Sequence, residues 1–228
     1  KGLCDTWALL RDKLRNASDS TIDSILLELH NHLLYAGELR DVYRCEVEQA
    51  KQMWFKVGRL ERGCVSFDSA VMLKMPIFDE ETQSGYHAHR LGLDVNLFGI
   101  VNEGEEKQHN VIYYEGYKHG SKHVCPMLDY YLDKFQPRAG KSKTLVLFSD
   151  LCCGQNRNNI VLGFHIRRVE MGINDSIEWN FMAVGHTKFA PDRGFGCIQS
   201  KEKVTHCFDG EELLSMISNS ATSNVGAL

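Results

Sequence analysis

At 228 residues and 43% hydrophobic content, the chain can bury a sizeable core as one large domain, or as a domain with an appendage. A formal net charge of −4 argues against wrapping of nucleic acid by bulk charge but leaves room for a local basic groove. No run of about 20 apolar residues is present to span a bilayer, and no secretory signal is visible. Eight cysteines are too few for a secreted disulfide scaffold of this length, and several sit in apolar contexts. An intracellular, reducing compartment is expected. The start at Lys1, without methionine, predicts a segment excised from a longer protein.

Residues 1–58 read as an amino-terminal helical segment and 59–228 as the core. Cys4–Leu14 predicts a short helix and Asn16–Ser20 a turn. A long helix begins near Thr21, where Ser20 and Asp23 suit a helix start. Ile22, Ile25, Leu26, Leu29, Leu33, Ala36, Leu39 and Tyr43 keep three-to-four spacing, an amphipathic stripe. The pair predicts a helical hairpin packed on a neighbour, or an arm between domains. His30-Asn31-His32 falls in mid-helix and lacks the hairpin of an HNH nuclease.

Gly63 marks a change of period. Cys64 to Met75 reads as a strand ending before Pro76, Asp79–Gly85 as a polar loop, and His87–Val101 as a second strand. A hairpin turn at Asn102–Lys107 leads to a third strand, Asn110–Glu115. Short connections predict an antiparallel meander. Ser121–Phe135 is a helix and Gln136–Lys141 a basic loop. Leu145-Val146-Leu147-Phe148 is an unbroken apolar run, as in a strand covered on both faces, and it leads to Asp150. A tight turn at Gly154 follows, then a helix from Asn156, its expected cap, to Met171. Ile177–Val184 is the next strand. Asp209 caps a last helix to Ser218, and the small, polar tail 220–228 is expected to fray.

The order β-β-β-α-β-α-β-α predicts an α/β fold: a five-stranded mixed sheet flanked by helices, in the ribonuclease H-like order, with the helical hairpin ahead of it. In that order the first and fourth strands are central neighbours, which sets Asp68 beside Asp150. Two nearby carboxylates repel unless they share a proton or bind cations. A pair of magnesium ions about 3.5–4 Å apart is one standard solution, and it supports in-line attack on a phosphodiester. Asp192, after the last strand, is the expected third acid. The plainer readings are a helix cap for Asp192 after Pro191, a main-chain-bonded carboxylate for Asp68 and a solvated turn residue for Asp150.

Phe148-Ser-Asp150-x-Cys-Cys-Gly-Gln-Asn-Arg-Asn158, followed by Gly185-His-Thr-x-x-x-x-Asp192-Arg-x-Phe-Gly196, resembles a family of transposon-derived eukaryotic proteins whose members look like DDE transposases. The resemblance extends to Val65-Ser-Phe-Asp68, Leu91–Ile100, Cys4-Asp-Thr and His32-x-x-x-Ala36. It implies two Mg2+ (or Mn2+) ions on Asp68, Asp150 and Asp192, and cleavage and strand transfer on DNA. It also implies a nuclear setting and a homo-oligomer joined through the long helix. His186, Gln155 and Asn156 are candidate substrate contacts, against the plainer readings of a structural histidine and of side chains that hold the turn. Asp94 and Glu115 read as edge acids, with Glu115 a reserve ligand. The chain departs from the family at three places. Trp7 stands where a second cysteine is common, so a zinc site using Cys4 and His32 would lack a ligand. Gly194 and Gln199 stand where acids are common. Two other functions compete: a catalytically silent module binding DNA or protein, and a thiol enzyme using Cys152 or Cys153 with His186.

Overall fold

The computed structural model describes residues 4–77, 93–114, 120–183, 185–186 and 188–227. Helix α1 (Asp5–Arg15) and the long α2 (Asp19–Trp54) precede a sheet of six strands: β1 (Arg62–Met75), β2 (Leu93–Asn102), β3 (Lys107–Tyr114), β4 (Thr144–Ser149), β5 (Ser176–Phe181) and β6 (Asn224–Ala227). Between the strands lie α3 (Ser121–Tyr130), the short α4 (Pro137–Gly140), α5 (Asn159–Glu170), α6 (Ala190–Glu202) and α7 (Gly210–Ser218). The architecture is mixed α/β. No described helix is long and apolar enough to cross a membrane.

The sheet order is β5-β4-β1-β2-β3-β6. β1, β2 and β3 form the expected antiparallel meander. β4 adds parallel to β1, and β5 parallel to β4. Among the described residues the sheet has one strand more than the five expected. The tail expected to fray pairs its backbone with Gln108–Val111 as the parallel edge strand β6. Asn224 anchors it, donating its side-chain amide to Gly194 O at 3.1 Å and Ser220 Oγ at 2.8 Å.

Alternation sorts the core. Val65, Phe67, Leu145 and Leu147 face α3, meeting Val124, Leu128 and Leu132. The π-helical turn Tyr131–Phe135 prolongs α3 to Phe135, so the helix expected over 121–135 is present with a widened last turn. The basic loop expected at 136–141 instead contains α4. A register shift between Ala70 and Leu73 turns the odd positions of β1 to the opposite face. Leu73 and Met75 therefore pack with Phe195 and Ile198 of α6 and Leu213 of α7. On that opposite face of β1 and β4, Cys64, Val146 and Phe148 meet Ala50 and Tyr43 of α2 and Phe189 before α6. The long helix thus seals the sheet directly.

Candidate active site

The β1–β4 register runs from Arg62↔Thr144 to Ser66↔Phe148. Two residues further along each strand lie Asp68 and Asp150. Both share the alternation of Cys64, Ser66, Val146 and Phe148, so they belong to the face covered by α2 and α6. Asp68 is held within β1, and Asp150 directly follows β4. Across β2, Asp68 pairs with Gly99, where Phe195 packs so closely that a Cβ would lie 2.6 Å from its ring. Asp192 stands three residues before Phe195 on the same face of α6, which brings it toward Asp68.

One oxygen of each carboxylate is pinned. Ser69 N–H donates to Asp68 Oδ1 at 2.8 Å. Cys152 N–H donates to Asp150 Oδ1 at 3.3 Å, and so does the Asn156 side-chain amide. Phe189 N–H donates to Asp192 Oδ2 at 3.3 Å. Asp192 is therefore a helix-terminus acceptor as well as a site candidate. Burial pushes the Asp68 carboxyl up to about 7; the Asp150 charge adds to this, the Ser69 N–H opposes it, and Asp192 adds a smaller push. Asp192 is also raised, first by burial and then by Asp150, against its Phe189 bond and Lys188. The three acids share one electrostatic environment. Their oxygens do not crowd onto one point: among the described residues, the group whose three ligand atoms lie mutually within 4.8 Å is Cys4, His32 and His186. Carboxylate oxygens are the donor type that hard divalent cations such as magnesium prefer.

Other expected site residues fall in different places. Gln155 and Asn156 lie in the turn after β4, where both backbone N–H groups bond to Cys152 O. Asn156 is not the cap of α5. Asn158 is, accepting from Ile160 and Val161 N–H at 3.0 and 3.2 Å. Asn156 is 2% exposed and holds Asp150 instead. His186 lies against His32, with 3.0 Å between their Nε2 atoms. Burial lowers its pKa, and His32, Arg40 and Lys188 lower it further. Cys153 Sγ turns to Leu151 O, so the described contacts bring His186 to neither Cys152 nor Cys153. Asp94 pairs with Lys74, six residues along β1 from Asp68 and roughly 20 Å away. Glu115 lies outside the described residues.

Gly194 is buried, and a Cβ there would lie 2.0 Å from Gln108 Oε1, so any side chain at this position must displace the end of Gln108. Gln199 is exposed two turns along α6 from Asp192. Glu103 escaped the sequence reading. Expected in a hairpin turn, it is 3% exposed and accepts from Tyr43 Oη at 2.6 Å and from Ser66 Oγ. Tyr43 Oη in turn accepts Ala190 N–H at 3.2 Å. This chain ties α2, β1 and the end of β2 to the start of α6, which carries Asp192. Burial raises the Glu103 pKa, and the bonds from Ser66 and Tyr43 oppose that rise. No sequence signal distinguishes Glu103 from its turn neighbours Glu105 and Glu106.

Residues 86–227 match the family model described as "Domain of unknown function (DUF7869)". The chain belongs to this family. The DUF7869 match contains Asp150, Asp192 and His186, whereas Asp68, Cys4 and His32 precede it. No curated protein matches the sequence. Among solved structures, the chain is similar to "Mos1 transposase paired-end complex with left transposon end", at 11% identity and a TM-score of 0.47, covering 93% of this chain and 70% of that one.

Proposed function

We propose that this chain is the core of a DDE-type, metal-dependent DNA nuclease and strand-transfer enzyme, with Asp68, Asp150 and Asp192 holding two Mg2+ (or Mn2+) ions. The observation that carries this reading is electrostatic. Three acids from β1, the end of β4 and the first turn of α6 act on one another, and Asp68 is pushed up to about 7. Bound divalent cations would offset this repulsion. The order β5-β4-β1-β2-β3 supports a ribonuclease H-like reading of the sheet, with β6 added outside it. In this reading 59–228 is the catalytic core and 1–58 its helical appendage.

Ions held by these acids would supply activation of the attacking water or 3′-hydroxyl and charge neutralisation at the leaving oxygen. The protein's part is placement. β1 fixes Asp68, the turn amide of Cys152 and the Asn156 side chain orient Asp150, and the start of α6 sets Asp192. DNA is the partner in this reading, and the nucleus the setting. A second copy of the chain would join along α2, where Leu27, Leu34 and Tyr35 are at least half exposed. A monomeric mass for the full-length protein on DNA would remove that last element.

The deciding experiment titrates Mn2+ and Mg2+ calorimetrically into the wild type and Asp150→Asn, with and without DNA, and assays DNA cleavage in parallel. Saturable binding and cleavage lost in Asp150→Asn support the reading. Absence of both in the wild type with DNA present sinks it. The competing reading, a catalytically silent DNA- or protein-binding module, is favoured by Gly194 and Gln199, which stand where the resembled family commonly carries acids. That module would bind DNA equally well with and without Asp150→Asn, and would not cut it.

A further inference from the structure

Three potential ligand atoms meet outside the aspartate site. Cys4, the residue that precedes α1, is 5% exposed. Its Sγ lies 3.2 Å from His32 Nε2 of α2. His32 Nε2 lies 3.0 Å from Nε2 of His186, in the connection between β5 and α6. All three atoms fall within 4.8 Å of one another. They come from three separate elements, with 28 and 154 residues between the contacting partners.

Hydrogen bonding alone does not account for this convergence. A ring nitrogen carries either one N–H or one lone pair in its plane. His32 Nε2 faces both a thiol and a second imidazole nitrogen, and can satisfy one of them. A cation at the centre uses all three atoms as lone-pair donors. Zinc bonds of about 2.0 Å to nitrogen and 2.3 Å to thiolate, at tetrahedral angles, separate two nitrogens by roughly 3.3 Å and nitrogen from sulfur by roughly 3.5 Å. The observed 3.0 and 3.2 Å lie within a few tenths of an ångström of those edges.

The backbone is shaped to the contact. Gly185, just before His186, has φ +72°, and a Cβ there would lie 2.8 Å from Cys4 Cα and Cβ. Only glycine meets both demands, so the β5–α6 connection can press against the start of α1. A cavity of ≈ 230 Å³ opens beside the cluster, lined by Cys4, Trp7, Arg40, Gly185, His186 and Lys188 among others.

We propose that Cys4, His32 and His186 bind one zinc ion, with the fourth position open to an exchangeable solvent ligand from this cavity. One thiolate and two imidazoles are a borderline-soft donor set that favours zinc over the hard cations of the aspartate site. Trp7 lines the same cavity, and among the described residues the grouped ligands are these three, which leaves the fourth position to solvent. The ion ties the start of α1, the middle of α2 and the segment leading into α6. It thus braces the helix that carries Asp192 without belonging to the acid site.

Cobalt(II) titration of the metal-stripped full chain tests this. The thiolate charge-transfer band and the intense visible bands of four-coordinate cobalt are expected to saturate at one ion per chain. Zinc should displace the cobalt. Cys4→Ser should abolish the charge-transfer band, and His32→Ala and His186→Ala should each weaken binding at least tenfold. His186→Cys, which keeps a ligand, should bind and intensify the band; it serves as the check if an alanine variant fails to fold. Cys153→Ser and Asp150→Asn should keep the wild-type charge-transfer band, so this site stands or falls independently of the magnesium reading. A charge-transfer band that survives in Cys4→Ser, or no cobalt uptake by the wild type, overturns the proposal.

Discussion

Asp68 and Asp150 each lie two residues beyond Ser66 and Phe148, the last register partners of the parallel β1–β4 pair. Burial, reinforced by the Asp150 charge, raises the Asp68 carboxyl from 3.8 to about 7. A raised folded-state pKa means the contribution is fully present below about pH 4 and lost as pH climbs through 7. Above that, ionised Asp68 costs the fold up to about 4 kcal/mol, less whatever water penetration screens. Asp68→Asn should therefore raise the metal-free Tm at pH 8 by about 5 °C. Millimolar Mg2+ should raise the wild-type Tm and leave the variant's unchanged. Scanning calorimetry with and without EDTA decides it, and a lower Tm for Asp68→Asn would show that the site is not electrostatically strained.

Asn156 acts through Asp150. Its buried amide donates to the same oxygen that receives the Cys152 N–H. A hydrogen bond to a charged acceptor contributes about 1.5–3 kcal/mol. Asn156→Ala should lower stability by that order and let the Asp150 carboxylate turn. The expected signature is a Mn2+ affinity reduced about tenfold with DNA affinity unchanged. Calorimetric titration of both ligands separates this from general unfolding, which would weaken both.

What the sequence made legible follows from how local each signal is. Leu145–Phe148 announced a doubly covered strand because four consecutive side chains all had to be apolar, and each is at most 2% exposed. Asp209 announced α7 because a cap bonds within its own turn, here to Glu212 N–H at 2.9 Å. Two asparagines in one turn gave no such discrimination. Asn158 caps α5, and Asn156 serves an aspartate six residues back. β6 was hidden because its pairing with β3 runs mainly through backbone, which leaves no side-chain pattern in the sequence. Glu103 was hidden because burial of one turn glutamate depends on Tyr43, 60 residues away. His186 read as a structural histidine or a substrate contact, and its neighbours Cys4 and His32 stayed hidden because only the fold brings them to it.

Gly194 and Gln108 form a tightly fitted pair between α6 and β3. Gln108 is 3% exposed and bonded to Asn110 Oδ1 at 2.8 Å, which leaves little freedom to accommodate a Cβ at 2.0 Å. Gly194→Ala should cost about 1–3 kcal/mol, the usual price of overpacking. Gly194→Asp should cost more and add no metal affinity. In a double-mutant cycle with Gln108→Ala, most of the Gly194→Ala penalty should vanish. Urea midpoints give all four corners, and additive effects would show that the two side chains do not compete for space.

Arg168 is 2% exposed and holds the approach to the central strand. It donates to Gly140 O at 2.8 Å, Asn174 Oδ1 at 3.2 Å and Asp129 Oδ1 at 2.8 Å. Asn174 donates to Gly140 O and Ser142 O from the other side. Arg168→Ala should cost about 3–5 kcal/mol, from lost buried bonds and a cavity. Arg168→Lys should rescue little, since a single ammonium cannot reproduce the planar fork. Guanidinium denaturation of the two variants checks this, and recovery by lysine to near wild type would assign the effect to charge alone.

His165 gives the fold an acid limit. It is 4% exposed, packed edge-on to Trp179 at 4.8 Å, and burial, with the Arg168 charge adding, lowers its pKa from 6.5 to about 4. The folded chain therefore binds fewer protons than the unfolded chain between those values. Stability from this residue is complete above pH 6.5, falls as pH drops toward about 4, and levels off below, a span worth at most about 3 kcal/mol. Asp68 works in the opposite sense over part of the same range, so the measurement belongs in an Asp68→Asn background. There, urea midpoints should fall steadily from pH 6.5 to pH 4, and adding His165→Phe should remove most of that slope. If the slope persists without the imidazole, the acid sensitivity belongs to another buried group.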